Sequence, residues 1–160
     1  MEFNTDQVED TYQPVKAEIS TIQSNAKDNL NFFAGLCLPE DATLAYPKYF
    51  LFVWQLITTA LFQTGIFPKY NIGLPRGMGK TTLLKLYVVY IIIFTKKKFI
   101  LVVCANATLA ENVISDVMDI MSSDNILQVF GNWEANSETD RANLKKFRFN
   151  QRNIVLGALG

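Results

Sequence analysis

The spacing of apolar side chains predicts four helices. In residues 5–34 the apolar positions recur every three or four residues, which is typical of a mostly polar helix with one narrow buried stripe. Residues 48–62 are almost continuously apolar and predict a largely buried helix. Two further helices are expected over about 79–94 and 106–121. In the last of these the predicted cap is Asn106 or Thr108, and the predicted buried face carries Leu109, Val113, Val117, Ile120 and Met121.

Four shorter runs predict strands. Residues 69–74 would form a short strand that leads into a glycine-rich turn. Residues 99–104 are apolar on both faces, as in a parallel strand that is covered by helices. Residues 145–150 alternate and 153–156 are apolar, so with the turn at 150–152 they predict a hairpin. This order of elements predicts an α/β fold, with a mainly parallel sheet flanked by helices and an N-terminal helical segment.

Charge divides the chain into two parts. Residues 1–45 contain eight acidic side chains and two lysines, whereas residues 46–160 contain seven acidic side chains and thirteen lysines and arginines. Residues 36–47 include two prolines and mark a boundary. We therefore predict an acidic helical leader, 1–45, and a basic α/β domain, 46–160. A basic domain suits a polyphosphate or nucleic-acid partner, although solvated faces of opposite charge would explain the same asymmetry.

Composition argues against several classes of protein. The chain has no histidine and two cysteines, Cys37 and Cys104, which argues against a zinc site, a Cys–His nucleophile and a disulfide framework. The first fifteen residues are acidic and polar, so no signal peptide is expected. Residues 49–62 and 83–94 are apolar but shorter than the roughly 20 residues of a spanning helix, so we expect core helices rather than a membrane protein.

A glycine-rich segment has the composition of a phosphate-binding P-loop. Gly77 and Gly79 give a tight turn the freedom to aim backbone N–H groups at phosphates, and the helix that follows opposes their charge. Lys80 would place a positive charge on the outer phosphates of a nucleoside triphosphate. The Thr81 hydroxyl would ligate the accompanying Mg²⁺. The alternative is a helix N-terminus with a surface lysine.

The same segment resembles the P-loop of large terminase subunits, the ATPases that pump DNA into tailed-phage proheads. The resemblance rests on the run Leu74-Pro75-Arg76-Gly77-Met78-Gly79-Lys80-Thr81-Thr82. The family commonly has Pro-Arg-Gly-x-Gly-Lys-Ser/Thr here, with a small residue at the position of Leu74. Weaker similarity extends over 30–160. Within it, residues 52–55 (Phe-Val-Trp-Gln) resemble the family's adenine-contacting segment, and residues 105–110 and 127–131 resemble its later pattern.

This resemblance implies roles for individual residues. The cofactors would be ATP and Mg²⁺, with Lys80 and Arg76 catalytic and Thr81 the metal ligand. The nucleotide would be bound by Pro75, Arg76, Gly77, Met78, Gly79, Lys80, Thr81, Thr82 and Gln55. Arg76 would be an arginine finger in cis, or would hold phosphate without a catalytic role. Gln55 would contact the adenine edge, or would be a buried glutamine bonded to the backbone.

The resemblance also implies a motor that couples ATP hydrolysis to the translocation of double-stranded DNA into a prohead. Its partners would be DNA, the portal protein, the small terminase subunit and further copies in a ring, all in the host cytoplasm. The basic stretch 141–152, with Phe147 and Phe149 interleaved, would touch nucleic acid. A hairpin strand with its lysines outward explains the same pattern and is favoured.

The acidic strand of a P-loop ATPase is missing from the sequence. Hydrolysis needs an apolar strand that ends in aspartate, usually followed by a glutamate that activates water. The two candidate strands, 99–104 and 153–156, lead into Ala105 and Gly157 instead. We therefore expect an ATPase domain that is truncated before this strand and does not hydrolyse ATP alone. The alternatives are a non-hydrolysing nucleotide-binding remnant and another P-loop NTPase, such as a helicase or a small-molecule kinase.

Overall fold

A computed structural model of the protein describes residues 18–40, 45–63, 69–135 and 141–160. Within these ranges the chain forms an α/β structure of six helices and a four-stranded sheet. The helices are α1 (18–28), α2 (Leu30–Cys37), α3 (Lys48–Leu61), α4 (Lys80–Phe94), α5 (Ala107–Met121) and α6 (Asp124–Phe130). The strands are β1 (Phe99–Val103), β2 (Trp133–Ala135), β3 (Leu144–Phe149) and β4 (Arg152–Leu159).

The sheet is mixed, with its strands in the order β1–β4–β3–β2. β1 and β4 are parallel, with Phe99 opposite Val155 and Val103 opposite Leu159. β3 is antiparallel to both β4 and β2. α5 packs against β4 and β1, and α4 packs against α5. The two longest helices are therefore stacked over the parallel pair of strands.

The prediction of a mainly parallel sheet is wrong, since one of the three strand pairs is parallel and two are antiparallel. The reason is the short connection between β3 and β4. Asn150 and Gln151 both have left-handed backbones, with φ of 47° and 63°, and this pattern joins two antiparallel strands directly. The predicted hairpin is confirmed, and β4 continues to Leu159, beyond the predicted end at 156.

The strand predicted over residues 69–74 is also wrong, because residues 69–75 belong to no helix or strand of the structure. Tyr70 and Ile72 are 41 % and 36 % exposed, so this stretch is not packed as the inner strand of a sheet. In the described part of the sheet, β1 pairs with β4 on one side and with no strand on the other. Asn71 and Gly73 have low strand propensity and divide the apolar residues of this stretch.

β1 is covered on one face only. Its buried residues are Ile100 and Val102, and its exposed residues are Phe99 (64 %), Leu101 (48 %) and Val103 (62 %). The expectation that helices cover both faces is wrong, because α5 lies on one face and the contacts among described elements place none on the other. The apolar face of β1 therefore stays exposed in the described structure.

α5 follows its prediction closely at both ends. The Asn106 side chain accepts a hydrogen bond from the Leu109 N–H at 2.9 Å, which caps the helix, and the last helical residue is Met121. Leu109 itself was predicted to be buried and is 49 % exposed. It sits in the first turn, where the cap and not the core fixes the backbone.

The helix predicted over residues 5–34 is interrupted within its described part. α1 ends at 28 and α2 begins at Leu30, because the Asn29 side chain accepts the Phe32 N–H at 3.2 Å and so caps a new helix. Residues 1–17 and 41–44 of the predicted acidic leader lie outside the described residues. The leader as a separate unit therefore stays a prediction.

The two most apolar segments of the sequence form α3 and α4, of 14 and 15 residues. α3 buries Phe50, Trp54 and Ile57 but leaves Phe52 66 % exposed, so one face of this helix is buried rather than most of it. Among the helices that the structure describes, none combines the length and the apolar character needed to cross a membrane.

A cluster of aromatic rings joins α2, α3 and α4. The Tyr90 ring lies edge-on to Phe33 at 5.6 Å and to Trp54 at 5.1 Å, and Phe94 is 4.7 Å from Tyr90. The Tyr90 hydroxyl donates a hydrogen bond to the Lys27 carbonyl at 3.0 Å, which ties the end of α1 to the same cluster. These contacts fix α3 and α4 side by side, and both helices border the candidate site described below.

The Tyr90 hydroxyl gives this cluster a pH dependence. Burial, reinforced by the negative charge of Asp28, raises the pKa of Tyr90 from 10.0 to about 12. Above pH 10 the unfolded chain releases this proton while the folded chain keeps it, so the free energy of unfolding falls between about pH 10 and about pH 12. In urea unfolding we expect wild type to lose more stability over this range than Tyr90→Phe. Equal losses in the two proteins would contradict the assignment.

Candidate functional site

The segment before α4 forms a tight turn with two left-handed glycines. Gly77 has φ of 79° and Gly79 has φ of 67°, values that a residue with a side chain adopts only with strain. Gly79 is the N-cap of α4, and its carbonyl accepts the Leu83 N–H at 2.9 Å. The first N–H groups of the helix have no partner within the helix and open toward this turn. Backbone donors and the positive helix end therefore meet at one place.

Lys80 spans the turn that precedes it. Its ammonium donates hydrogen bonds to the carbonyls of Leu74 and Pro75, both at 2.6 Å. An ammonium has three N–H donors, and these two bonds use two of them. The side chain thus closes the loop onto itself and keeps a positive charge, with one further donor, at the loop opening.

The other residues of the loop that were predicted to contact nucleotide lie close together because they are nearly consecutive in the chain. Pro75, Arg76, Met78 and Thr81 are exposed, and Thr82 is half-buried at the first turn of α4. This exposure leaves the Arg76 guanidinium and the Thr81 hydroxyl accessible to a ligand. Nothing in their burial distinguishes a catalytic arginine from one that only holds phosphate.

Gln55 lies on α3 and is exposed, so the interpretation of a buried glutamine bonded to the backbone is wrong. It lines an open cavity of about 360 Å³ together with Phe52 and Tyr70. A role in contacting adenine stays a prediction, and the exposure of the side chain is compatible with it.

An apolar cavity of about 350 Å³ lies beside the loop. It is lined by Ile57, Tyr70, Ile72, Leu74, Lys80, Leu83, Leu84 and Tyr87. Burial, followed by the proximity of Tyr70, raises the pKa of Tyr87, so its hydroxyl stays neutral. Tyr70 borders both this cavity and the one lined by Gln55 and Phe52, and Gln55 also lines a further cavity of about 550 Å³ on the side of Trp54.

The contact of Phe50 with the loop was not predicted from the sequence. Phe50 is 2 % exposed, and a Cβ atom added at Gly79 would lie 3.2 Å from its Cε2 and 3.8 Å from its Cζ. A phenylalanine in an apolar helix is indistinguishable by pattern from any other core residue. No signal in the sequence could have singled out this one as the neighbour of the loop.

The basic stretch 141–152 behaves as a hairpin. Phe147 and Phe149 are 3 % and 0 % exposed, so neither ring is available to stack on a base. Arg152 is turned toward α4, where it donates to the carbonyls of Thr95 and, at 2.7 Å, of Ile92. Burial lowers the pKa of Arg152. The predicted hairpin is confirmed, with both phenylalanines buried and Lys146 exposed, whereas the inward turn of Arg152 was not predicted and contact with nucleic acid stays a prediction.

The protein ligands available to a metal ion here are few. In the ranges that the structure describes, no three His, Cys, Asp or Glu side chains form a group that could hold a metal. Asp116 of α5 is paired with Lys85 of α4 at 2.6 Å. Mg²⁺ normally keeps several waters and binds through one or two protein oxygens plus phosphates. The exposed Thr81 hydroxyl fits that mode of binding.

The resemblance of residues 74–82 to the loop of large terminase subunits rests on the sequence motif alone. Comparisons of the chain with protein-family models, with curated proteins and with solved structures found no match.

Proposed function

We propose that residues 75–82 bind the phosphates of Mg·ATP, and that the chain is the ATP-binding part of a terminase-like DNA-packaging ATPase. One observation carries the first half of this proposal. A turn with two left-handed glycines runs directly into a 15-residue helix whose first residue, Lys80, reaches back across the turn. The second half is supported by the resemblance of residues 74–82 to the large terminase motif.

The chemistry of the site suits a polyphosphate better than a neutral ligand. The helix N-terminus and the loop N–H groups favour a group with several negative oxygens. Lys80 adds a full positive charge at the same opening, and Arg76 is exposed beside it. When bound, Mg²⁺ would neutralise charge on the outer phosphates, with Thr81 as its protein ligand.

The base would lie on the side of the loop that faces α3. Lys80 lines one depression and Gln55 another, and Tyr70 borders both, so a base attached to phosphates at the loop would lie near Tyr70. We assign Gln55 the role of contacting the adenine edge as part of this proposal. A triphosphate without a base would then bind through the loop alone.

As a packaging motor, the complete protein would act on double-stranded DNA in the host cytoplasm, with portal protein and small terminase subunit as partners and further copies in a ring. A second candidate function is a nucleotide-binding module that does not hydrolyse ATP. It is favoured by the sequence after the first parallel strand, because β1 is followed by Cys104 and Ala105 and not by a carboxylate.

Calorimetric titration tests the phosphate site. We expect Mg·ATP and magnesium tripolyphosphate to bind and AMP to bind far more weakly, because the loop contacts the outer phosphates. Equal affinity for AMP and ATP would contradict a phosphate loop. Steady-state phosphate release from Mg·ATP tests the non-hydrolysing module, since sustained Lys80-dependent turnover by this chain would exclude it and would also contradict the expectation that the acidic strand is missing. Sequencing the coding DNA beyond codon 160 tests the motor, which requires a strand ending in Asp-Glu.

Arg76 provides a separate prediction. If it holds phosphate, Arg76→Ala should weaken Mg·ATP binding about tenfold, the loss of one charge-assisted hydrogen bond. Arg148→Ala is the matched control, since Arg148 is an exposed arginine on β3. Unchanged affinity in Arg76→Ala would remove the phosphate-holding role and leave only the arginine finger, which acts on turnover rather than binding.

A further inference from the structure

A side chain from a helix far from Gly79 in the sequence occupies the space beside this glycine. The ring of Phe50, on the first turn of α3, lies so close that a Cβ atom at Gly79 would be 3.2 Å from Cε2. This separation is tighter than an ordinary van der Waals contact. Gly77, the other left-handed glycine, has no heavy atom within 4 Å of the corresponding position. The two glycines thus share a backbone conformation but differ in their surroundings.

Phe50 is itself held rigidly. Its ring is stacked on Tyr46 with centroids 4.5 Å apart and planes inclined by 9°, and Tyr49 lies edge-on at 6.2 Å. The Tyr46 N–H donates to the Asn31 side chain at 2.8 Å, which connects this stack to α2. The Phe50 N–H also donates to the Pro47 carbonyl at 2.9 Å, an i to i−3 bond in the first turn of α3. The ring is therefore in contact with neighbours that are bonded to α2 and to the start of α3.

Gly79 is the residue at which the turn becomes a helix. Its left-handed backbone reverses the chain, and its carbonyl accepts the first helical hydrogen bond of α4. A small rotation at this residue would swing the loop N–H groups and the Lys80 side chain relative to a bound phosphate. A contact that fixes the backbone of Gly79 therefore fixes the loop geometry on which phosphate binding depends.

We propose that Phe50 is a positioning residue for the phosphate loop: its ring, fixed by Tyr46, packs against Gly79 and holds the loop in the conformation that binds a triphosphate. This inference rests on the proposed function, and it adds a residue that the loop motif does not contain. It also explains why a side chain at 79 is disfavoured twice, by backbone conformation and by the Phe50 ring.

A merely structural role for Phe50 predicts different behaviour. Phe33, 0 % exposed on α2, is a buried phenylalanine in the aromatic cluster around Tyr90 and serves as the matched control. If Phe50 only fills the core, Phe50→Leu and Phe33→Leu should lower thermal stability and leave the affinity of the folded protein for triphosphate equally unchanged. If Phe50 positions the loop, only Phe50→Leu should weaken that affinity, by about tenfold.

The experiment is a double-mutant cycle read by titration of magnesium tripolyphosphate and Mg·ATP at a temperature where every variant is folded. Gly79→Ala is combined with Phe50→Leu, and Gly77→Ala with Phe50→Leu. Both glycine changes introduce strain at positive φ, but only a side chain at 79 meets the ring. We expect the fold-losses in affinity from Phe50→Leu and Gly77→Ala to multiply in the double mutant, as for independent sites. The fold-loss in the Phe50→Leu, Gly79→Ala double mutant should differ from the product of the two single losses.

Three outcomes decide the matter. Reduced affinity in Phe50→Leu with coupling confined to Gly79 supports the proposal. If Phe50→Leu binds triphosphate as tightly as wild type does, or if Phe50 is coupled equally to both glycines, the positioning role is overturned and the proposed function is left intact. No binding by wild type overturns the proposed function, and the positioning role with it. Should Phe50→Leu fail to fold, Phe50→Met keeps a comparable volume, and the same comparisons apply.

Discussion

Replacing Lys80 by methionine is expected to weaken the binding of Mg·ATP by roughly 100-fold, because the change removes at least one charge-assisted hydrogen bond and the positive charge at the loop opening. Methionine keeps an unbranched apolar stem, so the side chain at position 80 still lines the same cavity. The two bonds to the carbonyls of Leu74 and Pro75 are lost as well, which loosens the loop before any ligand arrives.

The control for this prediction lies on the same helix. Lys85 pairs with Asp116 at 2.6 Å and lines neither the cavity that contains Lys80 nor the one that contains Phe52 and Tyr70, but a separate cavity of about 180 Å³ that Thr82 also borders. The pair is partly exposed, so Lys85→Met should change stability by about 1 kcal/mol or less and leave Mg·ATP affinity unchanged. Calorimetric titration of both variants checks the assignment. Equal affinity in wild type and Lys80→Met would show that triphosphate, if bound at all, binds elsewhere.

The helices could be predicted from the sequence because their signals are local. The helix expected over about 79–94 is Lys80–Phe94 in the structure, and the one expected over 106–121 is Ala107–Met121. Apolar spacing sets the body of each helix, and Asn106 caps the second. α6 and β2 are only seven and three residues long, and so short an element shows too little periodicity to be recognised.

The sheet could be predicted only where its pairing is local. The β3–β4 hairpin follows from a two-residue turn, and it was found. Whether residues 69–74 pair with β1 depends on a choice between distant partners that no local pattern records. The same limit explains why the exposed face of β1 was missed, since an apolar run shows that a strand suits burial but not which elements cover it.

In the candidate site, too, the local features were predicted and the tertiary contacts were not. Residues 75–82 were predicted as a group because they are consecutive, and their glycines have the left-handed conformations that the motif requires. Phe50 and the Lys80 bonds to carbonyls are tertiary or conformational features, which the spacing of residue types does not encode. A motif thus identifies which atoms meet the ligand, and the fold decides what holds those atoms in place.

At the C-terminal end of α4, Arg152→Leu is expected to lower the free energy of unfolding by about 3 kcal/mol. The Arg152 guanidinium donates to the carbonyls of Ile92 and Thr95, at the end of α4 where helix carbonyls lack partners and the dipole is negative. Thr95 is 7 % exposed, so its carbonyl would lose a charged donor in a place with little access to water. Lysine provides the charge without the planar fork, and Arg152→Lys should therefore restore only part of the loss.

Urea unfolding at neutral pH measures this effect, with Arg148→Leu as the control on the neighbouring strand. Arg148 is exposed, and its replacement should change stability by about 0.5 kcal/mol or less. Since Arg152 begins β4, its two bonds fasten the start of that strand to the end of the helix that Lys80 begins. Arg152→Leu should consequently destabilise the protein without changing the Mg·ATP affinity of the folded state. Equal stability in Arg152→Leu and Arg148→Leu would mean that water replaces the guanidinium and that the hairpin does not cap α4.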